Sequence, residues 1–226
     1  MKYFAIIVAG GSGQRMKSKL PKQFLELGGK PILMHTLEKF FYAKSSISLI
    51  LVLPKSHHKT WADLCKSHKF EIPHIICAGG LTRFQSVKNG LNFCENNSII
   101  AVHDGVRPLV SSVFITNIYR EAELKKALIP VIPVVEAIRK VTGIASEALD
   151  RSLYFTVQTP QCFSSSILIK SYQQKELSTY TDDASVVEAC GEKIHLFDGE
   201  INNIKITSPK DLLLAQAIIN QIQNKR

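Results

Sequence analysis

Long apolar runs are scarce in this sequence. The longest, such as Ile47–Leu53, are far shorter than the roughly 20 residues that a membrane-spanning helix needs. The first apolar run, Phe4–Val8, is too short for the core of a signal peptide and is cut off by Gly10 and Gly11. We therefore expect a cytoplasmic protein without a membrane partner.

Paired cysteines are also lacking, and the scattered spacing excludes the common cysteine sites. The five cysteines form no C-x-x-C pair, so the sequence indicates neither a zinc site nor a redox motif. Scattered thiols in odd number are typical of a reducing compartment, where they act as small buried apolar residues.

Concentrated basic runs are absent, although the net charge is +9. Such a balance is compatible with nucleic acid, a membrane surface or a small polyanionic substrate. The chain has no run of five basic residues and no aromatic-basic ribonucleoprotein motif. We therefore expect no nucleic-acid partner.

Apolar strand-like runs alternate with amphipathic helix-like runs. The predicted strands are Phe4–Val8, Leu49–Leu53, His74–Cys77, Ile99–Val102, Leu128–Val134 and Ile204–Thr207. The predicted helices cover 31–43, 57–68, 82–93, 113–126, 164–176, 182–190 and 208–221. This alternation predicts an α/β fold with a Rossmann-like, mostly parallel sheet flanked by helices.

Residues 135–157 interrupt the alternation. The short runs Ala137–Val141 and Tyr154–Val157 flank a polar stretch that contains Gly143. This pattern predicts a β-hairpin or arm that leaves the main sheet. No linker or repeat divides the chain, so residues 1–226 are predicted to form one domain with the arm inserted at about 135–157.

A glycine-rich segment follows the first predicted strand. Ala9–Phe24 reads "AGGSGQRMKSKLPKQF", with Arg15 close to the glycines and Lys22 behind the stiffening Pro21. Glycines let backbone N–H groups approach phosphate oxygens. The segment therefore predicts a phosphate-binding loop, unless both cations are simply solvated.

Neither common nucleotide-binding pattern fits this segment. G-x-G-x-x-G, aligned on Gly11 and Gly13, needs glycine where Met16 stands, and the Walker pattern is absent. The acidic residue expected after the second strand is also absent, because Pro54 and Lys55 stand there. The loop is therefore a different kind of phosphate cradle.

A second candidate site follows the strand Ile99–Val102. Asp104, in V-H-D-G-V-R-P, ends this apolar run at the sheet edge where ligands bind in such folds. A carboxylate that faces a phosphate loop suits Mg²⁺, although Asp104 could instead cap the turn before Gly105. His103 is expected to be structural and is not assigned as a ligand.

Three other segments are unusual for surface loops. Gly79–Ser86 places a glycine pair before a helix N-terminus, where a ligand can approach the backbone. Thr181–Ser185 also begins a helix, either as a ligand contact or as a cap. Lys205 stands among apolar residues, where a lone cation usually has an anionic partner.

These segments together resemble the 2-C-methyl-D-erythritol 4-phosphate cytidylyltransferases of the non-mevalonate isoprenoid pathway. The glycine loop with P-K marks nucleotidyltransferases broadly, whereas T-D-D-A-S with N-I-K-I-T is much narrower. The matching stretches span nearly the whole chain in the family's order: "AGGSGQRM", "PKQF", "GGLTRFQSV", "VHDGVRP", "QTPQ", "TDDASVVE" and "NIKITSPKDL".

The resemblance implies a fold of the nucleotide-diphospho-sugar transferase type and a reaction of CTP with a polyol phosphate. The products would be a CDP-polyol and pyrophosphate, and the cofactor Mg²⁺ or another divalent cation. The implied catalytic residues are Arg15, Lys22 and Lys205. The implied CTP-binding residues are Ala9, Gly10, Gly11, Gly13, Gly80, Ser86 and Asp104, the last also serving the metal.

The resemblance also implies an acceptor site and a partner subunit. The implied acceptor-binding residues are Arg107, Arg151, Thr181 and Lys205. The family forms homodimers that exchange arms, so Arg151 is expected to serve the neighbouring subunit's site.

The chain departs from the family pattern at several positions. Glu136 and Ala137 stand where the family usually has an aspartate-threonine pair, so Ala137 is excluded as an acceptor ligand. Leu81 stands where an acidic residue is common, and V-H-D-G-V-R-P replaces V-H-D-A-A-R-P. None of these changes removes a catalytic charge.

Three alternatives remain open. A ribitol-5-phosphate cytidylyltransferase, which makes CDP-ribitol, would share Lys22, Asp104 and Lys205, but "TDDASVVEACG" favours methylerythritol phosphate. Sugar-1-phosphate nucleotidyltransferases usually keep a late metal-binding aspartate, where this chain has Lys205. A non-catalytic nucleotide- or RNA-binding protein would bind CTP without releasing pyrophosphate.

Overall fold

Strands and helices alternate along most of the chain. The structure is a computed structural model that describes residues 1–11, 16, 20–44 and 46–223. The strands are β1 (Lys2–Val8), β2 (Glu26–Leu27), β3 (Lys30–Pro31), β4 (Ile47–Leu53), β5 (Ile75–Ala78), β6 (Ser98–Asp104), β7 (Ala127–Pro133), β8 (Arg139–Thr142), β9 (Ala145–Ala148), β10 (Phe155–Val157), β11 (Gln161–Ser164) and β12 (His195–Asp198). The helices are α1 (Ile32–Ala43), α2 (His58–Ser67), α3 (Arg83–Leu91), α4 (Ser112–Lys125), α5 (Ser165–Ser171), α6 (Asp183–Glu188) and α7 (Pro209–Gln223).

The main sheet has eight strands and is mostly parallel. Its order is β10-β7-β11-β6-β1-β4-β5, with β12 paired to β7. Strands β5, β4, β1 and β6 run parallel, and Val8 lies opposite both Val52 and Asp104. The carboxyl ends of these strands therefore meet at one edge of the sheet. The predicted α/β fold with a mainly parallel sheet and flanking helices is confirmed.

The buried side chains divide between the two faces of the sheet. Along β1, Tyr3, Ala5 and Ile7 pack with one core cluster, which includes residues of α1 and α4. Phe4 and Ile6 pack with the other, which includes residues of α3, α5 and α6. This alternation follows from the two-residue period of a strand that is covered on both faces.

The sequence pattern did not predict two strands of the main sheet. Strand β11 pairs antiparallel with both β6 and β7, and β12 pairs parallel with β7. The helix predicted for 164–176 is accordingly shorter, because Ser164 belongs to β11 and α5 ends at Ser171. Long-range pairing, rather than local pattern, makes strands of these short segments.

The predicted arm contains a hairpin. Strands β8 and β9 pair around Gly143, whose φ of +61° suits a tight turn. Of the two flanking runs, Ala137–Val141 overlaps β8, which pairs with β9. The second run instead contributes β10, which joins the main sheet beside β7.

The predicted strand Ile204–Thr207 is also wrong. Residues 203–207 have no strand conformation in the part of the chain that the structure describes. Ile206 is fully buried and its N–H donates to the Val106 carbonyl at 2.9 Å. Its apolar character thus reflects packing against a loop rather than sheet pairing.

Helix α2 is anchored by a neutral histidine. Trp61 is fully buried and its Nε1–H donates to His74 Nε2 at 2.9 Å. The other ring nitrogen, Nδ1, donates to the Ile72 carbonyl at 2.7 Å. Burial lowers the pKa of His74, and the bond to Ile72 offsets this effect only partly.

No helix among the described residues is both long and apolar enough to cross a membrane.

His74 should make stability depend on pH. As the pH falls from about 7 to about 5, His74 becomes protonated in the unfolded chain before it does in the folded chain, where its pKa is lower. Protonation therefore favours the unfolded state, and the folded state loses stability. We therefore expect the unfolding free energy of the wild type to decrease more over this range than that of His74→Gln. Denaturant titrations at several pH values would measure the difference.

Tyr119→Phe provides the control. Its hydroxyl donates to the Phe4 carbonyl at 2.6 Å, so the variant loses one buried hydrogen bond, about 1 kcal/mol, without a group that titrates near pH 6. This loss should be the same at every pH. Parallel pH curves for the wild type and His74→Gln would contradict the role assigned to His74.

Candidate active site

Two adjoining cavities lie at the edge of the sheet where β1, β4 and β6 end. The first, called the glycine-loop cavity, measures about 310 Å³ and includes Gly10, Lys22 and Ser86 in its lining. The second, called the Thr181 cavity, measures about 270 Å³ and includes Thr181 and Arg107. Both cavities are also lined by Arg83, Asp104 and Lys205.

A larger cavity lies elsewhere. It measures about 420 Å³ and lies between α1, α7 and the start of α4, with Tyr42, Leu109 and Ile219 in its wall. None of the predicted site residues that the structure describes lines it. Size alone therefore does not identify the site, and the chemistry of the lining residues decides in favour of the two adjoining cavities.

The glycine loop leaves β1 between two of the predicted ligand-binding side chains. The Ala9 N–H donates to the Val52 carbonyl at 3.0 Å, which holds the first residue after β1 against β4. A Cβ on Gly10 would lie 3.9 Å from Ser86 Oγ, and a Cβ on Gly11 would lie 3.6 Å from Lys22 Cε. The loop thus brings its backbone close to a hydroxyl and to a lysine stem.

A hydrogen-bond network shapes the segment before α3. The Gly80 N–H donates to Ser86 Oγ at 3.1 Å, and the Ser86 hydroxyl donates to the Thr82 carbonyl at 2.8 Å. A Cβ on Gly80 would lie only 2.3 Å from Gln85 Cβ, so this position requires glycine. With its hydrogen directed at the Thr82 carbonyl, Ser86 presents an acceptor to a ligand.

The N-terminus of α3 is capped by Thr82. Its Oγ1 accepts the Gln85 N–H at 3.1 Å, as in the first half of a capping box. Gln85 Oε1, however, accepts from the Leu81 N–H at 3.1 Å. In a standard capping box, Gln85 would instead accept from the N–H of Thr82, the N-cap residue. Here it bonds the N–H of the preceding residue.

Asp104 is the anionic centre of the site. It is 8% exposed, and its Oδ2 lies 3.0 Å from Arg107 Nε and 3.1 Å from Lys205 Nζ. Burial opposes its ionisation, but the charges of Lys205, Arg107 and Arg83 outweigh burial and hold the pKa of Asp104 well below its usual range. Asp104 is therefore the anionic partner that Lys205 was expected to have.

His103 is structural and neutral. Its Nε2 donates to the Arg107 carbonyl at 3.2 Å, and its Nδ1 accepts from Thr159 Oγ1 at 3.1 Å. Thr159 Oγ1 in turn accepts the Asp104 N–H at 3.0 Å. Complete burial lowers the pKa of His103 to about 4, although the nearby charge of Asp104 opposes this shift. With both ring nitrogens engaged, His103 orients Asp104 and does not act as a base.

Asn203 joins three segments beneath the Thr181 cavity. It is fully buried, and its Nδ2 donates to the Thr159 carbonyl at 2.8 Å. Its own carbonyl accepts from Arg107 Nη1 at 2.8 Å. This residue therefore fixes the irregular segment that carries Lys205.

Arg83 was not assigned a role from the sequence. Its guanidinium forms a bidentate pair with the fully buried Asp183, at 2.9 and 2.6 Å, and Tyr172 donates to the same carboxylate at 2.6 Å. Arg83 belongs to the quoted G-G-L-T-R stretch, but its partner lies 100 residues away in sequence. The pairing could not be inferred without the fold.

The structure brings most of the predicted site residues together. Those that line the two cavities are Ala9, Gly10, Gly11, Lys22, Gly80, Ser86, Asp104, Arg107, Thr181 and Lys205. Gly13 and Arg15 lie outside the described residues. Arg151 is exposed, donates to the Val135 carbonyl within the arm, and lines neither cavity of its own subunit.

Comparison with known proteins places the chain in a family. The model of the 2-C-methyl-D-erythritol 4-phosphate cytidylyltransferase family matches residues 3–221. The chain belongs to this family. The predicted family and the predicted nucleotidyltransferase class are therefore confirmed.

Individual relatives match over nearly their full length. A Bacteroides fragilis protein named 2-C-methyl-D-erythritol 4-phosphate cytidylyltransferase is 50% identical over 215 residues, which cover 95% of this chain and 98% of the relative. A Clostridium novyi protein of the same name is 37% identical, with 98% of each chain covered. The crystal structure of 4-diphosphocytidyl-2C-methyl-D-erythritol synthase from Anaerococcus prevotii superposes with a TM-score of 0.83 at 28% identity, covering 97% of this chain and 96% of that one.

Proposed function

We propose that this protein transfers the cytidylyl group of CTP to 2-C-methyl-D-erythritol 4-phosphate. The products are 4-diphosphocytidyl-2-C-methyl-D-erythritol and pyrophosphate, in isoprenoid precursor biosynthesis. The observation that carries this proposal, together with family membership, is that two cavities meet at Asp104 and Lys205. One cavity has a glycine loop and Lys22 for a triphosphate, and the other has Arg107 and Thr181 for a second substrate.

The acceptor phosphate can act as the nucleophile without a general base. A phosphomonoester is largely a dianion near pH 7, because its second pKa is about 6. One of its oxygens forms a bond to the α-phosphorus of CTP, and the bond to the bridging oxygen of pyrophosphate breaks with its electron pair. None of the described residues lining the two cavities is a histidine, which agrees with this chemistry.

Lys22 would act on the triphosphate, and the basic residues of the Thr181 cavity on the acceptor. The side chain of Lys22 passes close to Gly11. Together with Arg15, it would stabilise the negative charge that develops at the α-phosphorus. Arg107 and Lys205, both fixed on Asp104, would hold the acceptor phosphate in line for attack. Catalysis would rest on positioning and charge stabilisation.

Ser86 supports the choice of CTP as nucleotide. Its hydroxyl donates to the Thr82 carbonyl, so in this orientation it offers a ligand an acceptor. It can then accept a hydrogen bond from the amino group of cytosine or from a ribose hydroxyl. In the same orientation it presents no hydrogen to the oxygen that replaces this amino group in uracil.

Asp104 would hold Mg²⁺ or another divalent cation together with the phosphates of the nucleotide. Within the described ranges, no three His, Cys, Asp or Glu side chains cluster as a metal site of their own. Magnesium nevertheless fits, because it is usually bound by one or two carboxylates and by substrate phosphates. The low pKa of Asp104 keeps this carboxylate ionised. The ion, when bound, would neutralise part of the triphosphate charge.

Two further properties belong to the proposal. The five cysteines are unpaired, which supports a reducing, cytoplasmic location. The arm exposes Val141, Ile144 and Leu153, which supports a homodimer in which these apolar side chains become covered. In such a dimer Arg151 would reach the site of the partner subunit.

Pyrophosphate release from CTP and Mg²⁺ would test the acceptor. We expect release with methylerythritol 4-phosphate and little with ribitol 5-phosphate, because the family signature outweighs the changes at Glu136 and Ala137, which are exposed on the arm. A reaction that contains CTP and Mg²⁺ but no acceptor is the control. Release with ribitol 5-phosphate alone would assign the pentitol acceptor, and CTP binding without release from either would indicate a non-catalytic protein.

Lys22→Ala should lose catalysis while remaining folded. One positioned group that stabilises developing charge contributes roughly a hundredfold to a thousandfold in rate, so kcat should fall by at least about a hundredfold. Lys59→Ala is the matched control, because Lys59 is exposed on α2 and lines neither cavity. A near-normal kcat for Lys22→Ala would reject the role assigned to Lys22.

Mixing two inactive variants would test the shared site. Lys22→Ala and Arg151→Ala should each be nearly inactive alone. If Arg151 acts in the partner's site, mixed dimers contain one intact site, and an equal mixture should recover about a quarter of the wild-type activity. Sedimentation should show about twice the chain mass of 25.2 kDa. A monomer at micromolar concentration, or no recovery on mixing, would contradict the arrangement.

A further inference from the structure

Gln23 lies beside the site but has no role in the scheme described so far. It follows Lys22 in P-K-Q-F, is only 1% exposed and lines the glycine-loop cavity. Its Nε2 donates to the Ala9 carbonyl at 2.8 Å. The bond joins the turn that carries Lys22 to the first residue of the glycine loop.

The far side of this turn is fixed in the core. Lys22–Phe24 form a single 3₁₀ turn, in which the Phe24 N–H donates to the Pro21 carbonyl at 2.9 Å. The ring of Phe24 stacks on Trp61 with a centroid distance of 6.2 Å. These contacts hold the turn to α2, but they do not set its distance from the loop after β1.

That distance determines where the Lys22 ammonium lies. The Lys22 stem already passes Gly11, with Cε 3.6 Å from the position of a Cβ there. Lysine has a long and flexible side chain, so the position of its backbone limits the region that the ammonium can reach. A bond from the next residue to Ala9, two residues before Gly11, is well placed to fix this backbone.

The amide of Gln23 is not explained by packing. Its Oε1 is buried and has no hydrogen-bond partner within the described part of the chain. A buried acceptor without a donor destabilises the folded state, and an apolar side chain of similar volume would avoid this cost. The amide group therefore serves through its single bond to the Ala9 carbonyl.

We propose that Gln23 is a positioning residue that sets the Lys22 ammonium against the glycine loop. This inference rests on the proposed function, because it acts through the proposed role of Lys22. Loss of the bond would let the turn shift relative to the loop. Displacements of about 1 Å in such sites can cost up to about a hundredfold in rate.

A double-mutant cycle would test the inference. Gln23→Met keeps the approximate volume and removes both the donor and the unpaired acceptor, while Gln23→Glu keeps the shape but places an oxygen against the Ala9 carbonyl. The kcat and the KM for CTP would be measured for both, in the wild-type and Lys22→Ala backgrounds. Thermal unfolding would show that each variant is folded, so either one suffices if the other fails to fold.

We expect kcat to fall about tenfold to a hundredfold for either substitution, with a smaller change in KM. In the Lys22→Ala background the same substitution should change kcat by less than about twofold, because its effect passes through Lys22. Tyr119→Phe, which also removes one buried hydrogen bond to a backbone carbonyl but at a residue that lines neither cavity, should leave kcat unchanged.

Two results would overturn the inference while leaving the proposed function intact. One is a normal kcat for folded Gln23→Met and Gln23→Glu. The other is an equal fold-loss with and without Lys22, which would show a general structural effect. Absence of pyrophosphate release by the wild type would instead reject the proposed function itself.

Discussion

The ion pairs around Asp104 hold the cleft together. A carboxylate that is 8% exposed would be unfavourable alone, but Arg107 and Lys205 contact the same oxygen. They come from the loop after β6 and from the irregular segment before α7, so one charge fixes two parts of the chain. Removing either cation would leave a buried negative charge with reduced compensation, and this makes the arrangement sensitive to all three residues.

The central strands could be predicted because each is marked by its own run of apolar residues. Strands β1, β4 and β6 are nearly continuous apolar runs, as a strand covered on both faces requires. By contrast, β11 reads Q-C-F-S, and only pairing with β6 and β7 explains its burial. Residues 203–207 show the opposite case, because a strand was predicted there and the structure has none. Ile206 alternates with polar residues, but it is buried against Val106 without strand pairing.

The site divides in the same way. Lys22, Asp104 and Lys205 could be selected because glycines, sheet edges and isolated charges are visible in a sequence. Their supports could not, because Gln23 and Asn203 act through partners that lie 14 and 44 residues away along the chain. Charged and glycine residues therefore indicated where chemistry takes place, while the buried amides that orient them became visible only in the fold.

The position of Lys205 has a consequence for biosynthesis. The glycine loop and Lys22 leave the ribosome early, whereas Asn203 and Lys205 follow nearly the whole sheet. A nascent chain can pair β1, β4 and β6 before this last segment exists, yet Asp104 then lacks one of its two cations and Arg107 lacks the Asn203 carbonyl. The cleft is completed only by residues 203–205, so a chain that ends before them lacks both the Asp104–Lys205 ion pair and the bond from Arg107 to the Asn203 carbonyl.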